Sequence, residues 1–177
     1  MRKDLLLVVA LLGLTSMASA SAIVVDGGWY GFCFDGPGTA AYAGCQNDGV
    51  GVVGNTITFT ASGPVLFELT DAFIYGDEFK ATIDGIDYFS NVVPNVSGTE
   101  PNPNVAFGDP GYSHLVVSLG AGVHTADIFV TDSPWGDGGG YVQVTTGRGQ
   151  AEVPEPATLM LLGSGLAGLM LRRKRAA

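Results

Sequence analysis

The sequence is poor in positive charge, in sulfur and in imidazole: of 177 residues, eight are Lys or Arg, two are Cys and two are His. Six of the eight bases lie at the ends, as Arg2 and Lys3 and as Arg172, Arg173, Lys174 and Arg175. Between Ile23 and Glu152, fifteen acids face only Lys80 and Arg148, a balance of −13 that the whole-chain value of −9 conceals. Such a surface lacks the basic patch that phosphate-backbone binding needs, so nucleic acid is not an expected partner. His114 and His124 have no His-x-x-x-His or Glu-x-x-His companion, and the cysteines have no second pair. No zinc-ligand spacing remains to argue from.

Helical periodicity is also missing from the middle of the chain. What recurs there is alternation with period two, the mark of half-buried strands. Ile57 and Phe59 share one face, as do Val65, Phe67 and Leu69 with Asp71, and Phe79, Ala81 and Ile83. The pattern returns in Leu115, Val117 and Leu119, in Ala126, Ile128 and Val130, and in Val142 and Val144. Turn formers separate these runs: "SGP" at Ser62, "YGDE" at Tyr75, Asp84-Gly85, "GAG" at Gly120 and "DSPWGDGGG" at Asp132. Many short strands with glycine-rich turns predict an all-β domain, an antiparallel β-sandwich or jelly roll. The stretch from Asn91 to Ser113, rich in Pro, Asn and Gly, reads as a long loop.

The two ends differ from the middle. Arg2 and Lys3 precede the apolar run Leu5 to Leu14 and the small residues "SMASASA", the three parts of a secretory signal peptide. Cleavage is expected after Ala20 or Ala22, since both satisfy the small-x-small rule. Residues 1–22 thus read as leader, 23–152 as one ectodomain and 153–177 as a separate tail. An exported domain meets an oxidising compartment, where Cys33 and Cys45 are expected to form a disulfide.

The tail joins Pro154, Glu155 and Pro156 to fifteen uncharged residues, Ala157 to Leu171, and then to a basic block. As a helix that run measures about 23 Å, short for a span of about 20 residues, although Arg172 and Arg173 can snorkel. Retention of the basic block in the cytoplasm places the ectodomain on the outer side. "VPEPATLMLLGSGLAGLMLRRKR" closely resembles the PEP-CTERM sorting signal in all three parts and in their order. The resemblance implies recognition by an exosortase, an integral-membrane processing enzyme of Gram-negative bacteria that make exopolysaccharide. Pro154, Glu155 and Pro156 would be the recognition motif, as substrate residues and not as catalysts. On this reading the single C-terminal transmembrane helix holds the protein in the inner membrane only until the tail is cut. The expected destination is the cell envelope, its surface or the medium, in association with exopolysaccharide or biofilm.

Chemistry in the ectodomain is sparse. Asp71, Asp77 and Glu78 lie close in sequence, with Asp132 and Asp137 in another turn, and carboxylates in loops are the ligands calcium prefers. A structural calcium ion is the one cofactor those acids would suit, and the spacing follows no known calcium loop. Ser113, His114 and Asp109 offer hydrolase residue types, but neighbours on a strand point to opposite faces, so no enzyme is expected. Trp135, Tyr141 and Trp29 are the candidate glycan contacts, because aromatic faces beside carboxylates suit sugar rings. A non-enzymatic matrix or surface protein is therefore the expected function, with a carbohydrate-binding module as the alternative.

Overall fold

The computed structural model describes residues 20–45, 48–94 and 98–147. The leader up to position 19, the motif Pro154, Glu155 and Pro156 and the expected C-terminal helix lie outside the described residues. Among the described residues, no helix is long and apolar enough to cross a membrane. The chain divides into two compact units, Met1–Thr146 and Gly147–Ala177, and every element below belongs to the first.

Among the described residues, eleven strands and one helix form: β1 Ser21–Ala22, β2 Tyr30–Phe34, β3 Gly51–Val52, β4 Thr56–Ala61, β5 Val65–Ile74, β6 Glu78–Ile83, β7 Ile86–Phe89, β8 Thr99–Glu100, α1 Pro103–Gly108, β9 His114–Leu119, β10 Gly122–Asp132 and β11 Gly138–Thr145. One sheet has the order β1-β4-β10-β6-β7 and the other β3-β2-β11-β5, with β8 and β9 both pairing with β5. Pairing is antiparallel except where β1 meets β4 and β3 meets β2. Register carries the alternation across the sheets. Ala126 stands opposite both Ile57 and Ile83, and Val142 stands opposite Leu69, so the apolar faces line up and pack as two layers. This is the β-sandwich that the period-two runs predict.

The core between the layers is built from those runs. Phe67, Leu69, Phe79, Ile57, Ile128 and Val142 are all completely buried there, each worth about 1.5–3 kcal/mol over an exposed position. Phe32 and Phe34 of β2 add aromatic packing, both meeting Phe79 edge-on with ring centroids 5.5 Å apart.

Two turns show why the local sequence suits the fold. Asp84 and Gly85 both have positive φ, 50° and 84°, and join β6 to β7 as the two-residue hairpin turn that Asp-Gly favours. Asp84 then reaches His124: its Oδ2 lies 2.6 Å from Nδ1, while Nε2 lies 3.1 Å from the Gly120 carbonyl oxygen. Both partners are acceptors, so the doubly protonated ring satisfies both, and the Asp84 hydrogen bond raises the His124 pKa.

The stretch from Asn91 to Ser113 departs from its reading as a plain loop. It contains β8 and helix α1, the one helix among the described residues. Asn102 caps that helix by accepting from the Asn104 N–H, and Pro103 occupies the first turn, where its missing N–H costs nothing. A single turn and a half is too short to show helical periodicity, and tertiary packing supports it instead.

Candidate functional site

A second, smaller cluster lies apart from the main core and is mostly aromatic: Trp29, Ala72, Ala106, Tyr112 and Tyr141, with Phe73, Tyr75 and Phe107 against it. Helix α1 docks there through a hydrogen bond from Trp29 Nε1 to Asn104 Oδ1 at 3.0 Å. Tyr75 stacks on Tyr112 at 4.0 Å and donates its hydroxyl to Asp109. Trp29 and Tyr141 therefore do not serve as the glycan contacts that the sequence suggested. Trp29 is 5% exposed, Tyr141 is fully enclosed, and Phe73 stacks on the Tyr141 ring.

Where β5 ends and turns towards β6, the chain buries two acids. Asp71 is wholly buried, and its carboxyl accepts from the backbone N–H of Ala72, Gly76 and Asp77 at 2.7, 3.2 and 3.3 Å. The side chain thus organises the turn that follows it, including Phe73, whose φ of 69° is unusual for a residue with a side chain. Burial, and then the neighbouring Asp77, push the Asp71 carboxyl up to about 9. Burial also raises Asp77, against the Ser133 hydroxyl and Asp71 carboxyl, which lower it. Two acids in one dry site do not both ionise, so the pair keeps a proton at neutral pH.

Beside the pair opens a cleft of about 350 Å³, lined by Phe34, Tyr42, Cys45, Ala72, Phe73, Ile74, Asp77, Trp135, Asp137, Gly138 and Gly139. Its size lies at the lower end of the roughly 300–1,000 Å³ usual for small-molecule sites. Trp135 is 54% exposed. It sits in the Ser133 to Gly136 turn, and its Nε1 donates to the Tyr75 carbonyl at 3.0 Å. The indole N–H is thereby satisfied and the ring is held in place.

Tyr42 stands on the loop that the Cys33–Cys45 disulfide closes, where it exchanges two backbone hydrogen bonds with Cys33. Its hydroxyl donates to Asp35 at 2.9 Å, which raises the Tyr42 pKa. The expected disulfide is therefore present and also forms part of the cleft wall. The glycines opening β11 leave room for the rest. A Cβ on Gly138 would lie 2.5 Å from the Phe34 ring and 2.9 Å from Asp77 Oδ2, and one on Gly139 would lie 2.9 Å from Cys45 Cβ.

Of the acids proposed for calcium, the structure brings Asp71 and Asp77 together and turns Glu78 elsewhere, towards the Val93 N–H at 3.4 Å. Among the described residues, no group of three or more potential ligands converges. Nor do Ser113, His114 and Asp109 assemble. The Ser113 hydroxyl donates to the Asp77 carbonyl, and Asp109 accepts from Gly111 and Tyr75. His114 instead meets Phe107 edge-on. Of the three aromatic candidates, Trp135 alone reaches the cleft. Tyr42 and Phe73 went unnoticed in the sequence; the one signal for Tyr42 was its place three residues before a bridged cysteine.

No curated protein matches the chain. Among solved structures, it is similar to the pre-peptidase C-terminal domain of collagenase from Bacillus anthracis. That likeness has 11% identity and a TM-score of 0.40, and it covers 71% of this chain and 94% of that one. Residues 152–175 match the PEP-CTERM protein-sorting motif, so the chain carries the signal of a secreted, exosortase-processed protein of the cell envelope or extracellular space.

Proposed function

We propose that this protein is a non-enzymatic component of the extracellular surface or matrix, associated with exopolysaccharide in a biofilm after exosortase has removed its tail. The sorting motif at residues 152–175 carries this reading. Two features support it. The ectodomain is bridged by a disulfide, suited to an oxidising exterior, and the hydrolase residue types are engaged in structural hydrogen bonds. The test is the intact mass of the protein from native cells and from medium, with C-terminal peptide mapping. A terminus near Pro154 to Pro156, in protein that fractionates with the polysaccharide, is the expected result. A chain still ending at Ala177 in the membrane fraction would overturn it.

The cleft favours a second reading, a carbohydrate-binding module. Trp135 presents an exposed, fixed indole beside carboxyls, which is how an apolar sugar face and its hydroxyls are held together. Trp135→Ala should abolish retention on the polysaccharide while leaving the fold intact. Unchanged retention would remove the cleft from consideration.

A further inference from the structure

The character of the cleft narrows the class of sugar it suits. Its walls are the rings of Tyr42, Phe73 and Trp135, and its charged groups are carboxyls only. Among the described residues, no Lys, Arg or His lines it. At its floor Asp77 is 4% exposed, and its Oδ1 has no hydrogen-bond partner among the described residues. A buried acceptor left without a donor is destabilising, and a ligand that brings a donor relieves it. Asp137 adds a second carboxyl to the lining, and Asp35 stands behind the Tyr42 hydroxyl. An anionic sugar such as a uronic acid is repelled by this set, whereas an ammonium group meets both aromatic faces and carboxyls.

We propose that the cleft binds an amino sugar, with its ring against Trp135 and its ammonium group directed to Asp77 and Asp137. This rests on the glycan-binding reading and goes further, since a neutral sugar would satisfy that reading equally well. The fixed indole matters here. Because its N–H is already bonded to the Tyr75 carbonyl, the indole has no free donor to offer a ligand, and the face is the part of an aromatic ring that attracts a cation.

Calorimetric titration of the full chain, in a detergent without a sugar headgroup, tests this with three tetrasaccharides of the same linkage: tetraglucosamine, its fully N-acetylated form and cellotetraose. Tetraglucosamine is expected to bind about tenfold more tightly than the other two, the size of one desolvated cation–π and carboxylate contact. Trp135→Ala and Asp137→Asn should each remove that preference. Asp137→Asn lies in a surface turn and keeps the test independent of any folding defect in Asp77→Asn. Asp87→Asn, on β7 in the other sheet, should leave binding unchanged. If it weakens binding as much as Asp137→Asn does, the attraction is diffuse and the proposal fails. Equal binding of all three sugars, lost in Trp135→Ala, would overturn the amino-sugar inference and leave the glycan reading standing. No binding by any of them, with near-UV circular dichroism intact, would sink both.

Discussion

The two apolar clusters of this domain were made differently. The larger lies between the sheets and is assembled from period-two positions such as Ile57, Phe67, Phe79 and Ile128, which need only alternation and register to meet. The smaller is aromatic and is covered by helix α1 and the chain around it. It depends on single polar contacts: Trp29 to Asn104, Tyr75 to Asp109, and Tyr112 hydroxyl to the Phe73 carbonyl. The first cluster makes the fold, whereas the second, with the buried acids beside it, shapes the cleft. Stability and the proposed recognition thus rest on largely separate sets of residues, which meet at Phe34, and substitutions should separate them.

The largest effect is expected from Phe79→Ala. It removes a fully buried ring that meets both Phe32 and Phe34, and denaturant unfolding should register a loss of about 3–5 kcal/mol. A loss under about 1 kcal/mol would mean that the inter-sheet core does not dominate stability. Replacing Cys33 and Cys45 together by Ser should cost roughly 3 kcal/mol on the chain-entropy account. Because Tyr42 rides on the bridged loop, sugar binding should fall as well, linking the two regions at one point.

The acid pair predicts a slope rather than an offset. Asp71 and Asp77 titrate higher in the folded protein than their ordinary value near 3.8, so between that pH and their folded values the native state holds more protons. Stability should therefore fall as pH rises from about 4 to about 9, with both acids contributing up to about 6 and Asp71 beyond it. His124 acts with the same sign: its contribution is full below its ordinary pKa and is lost as pH rises through the raised one. Asp71→Asn should flatten the slope above pH 6 while His124 stays in place. An unaltered slope from pH-dependent unfolding curves would show that Asp71 is not the group concerned.

Smaller effects probe the second cluster and the sandwich edge. Trp29→Phe keeps a ring but loses the Asn104 hydrogen bond, a change of about 1 kcal/mol. Amide exchange should quicken in α1 and not in β10. At the edge, β1 pairs with β4, and the Ser21 hydroxyl accepts from the Gly54 N–H at 2.9 Å. A chain beginning at Ile23 should accordingly be less stable than one beginning at Ser21, by about 1 kcal/mol or less. Equal midpoints would make β1 dispensable.

Legibility follows the same division. Alternation announced β4, β5, β6, β9, β10 and β11, because a half-buried strand writes its two faces into neighbouring residues. The short β1, β3 and β8 were invisible, since two residues have no period. Helix α1 was hidden by its length, and its cap at Asn102 was lost within a Pro- and Asn-rich stretch. For the cleft, Trp135 stood out in its glycine-rich turn, whereas Trp29 and Tyr141 were equally plausible there and proved to be core. An aromatic residue looks the same in sequence whether its ring faces solvent or a neighbouring strand.

By itself the sequence determined that the middle of the chain is an acidic, disulfide-competent β-domain and that the end carries a sorting motif. Those properties are local, set by alternation, by charge count and by a contiguous stretch of residues. Only the tertiary structure decided that Asp71 and Asp77 share one buried site and that Trp135, Tyr42, Phe73 and Asp137 meet around a cleft. These residues come from three separate segments, and their proximity depends on how the β5 turn, the bridged loop and the start of β11 pack in space.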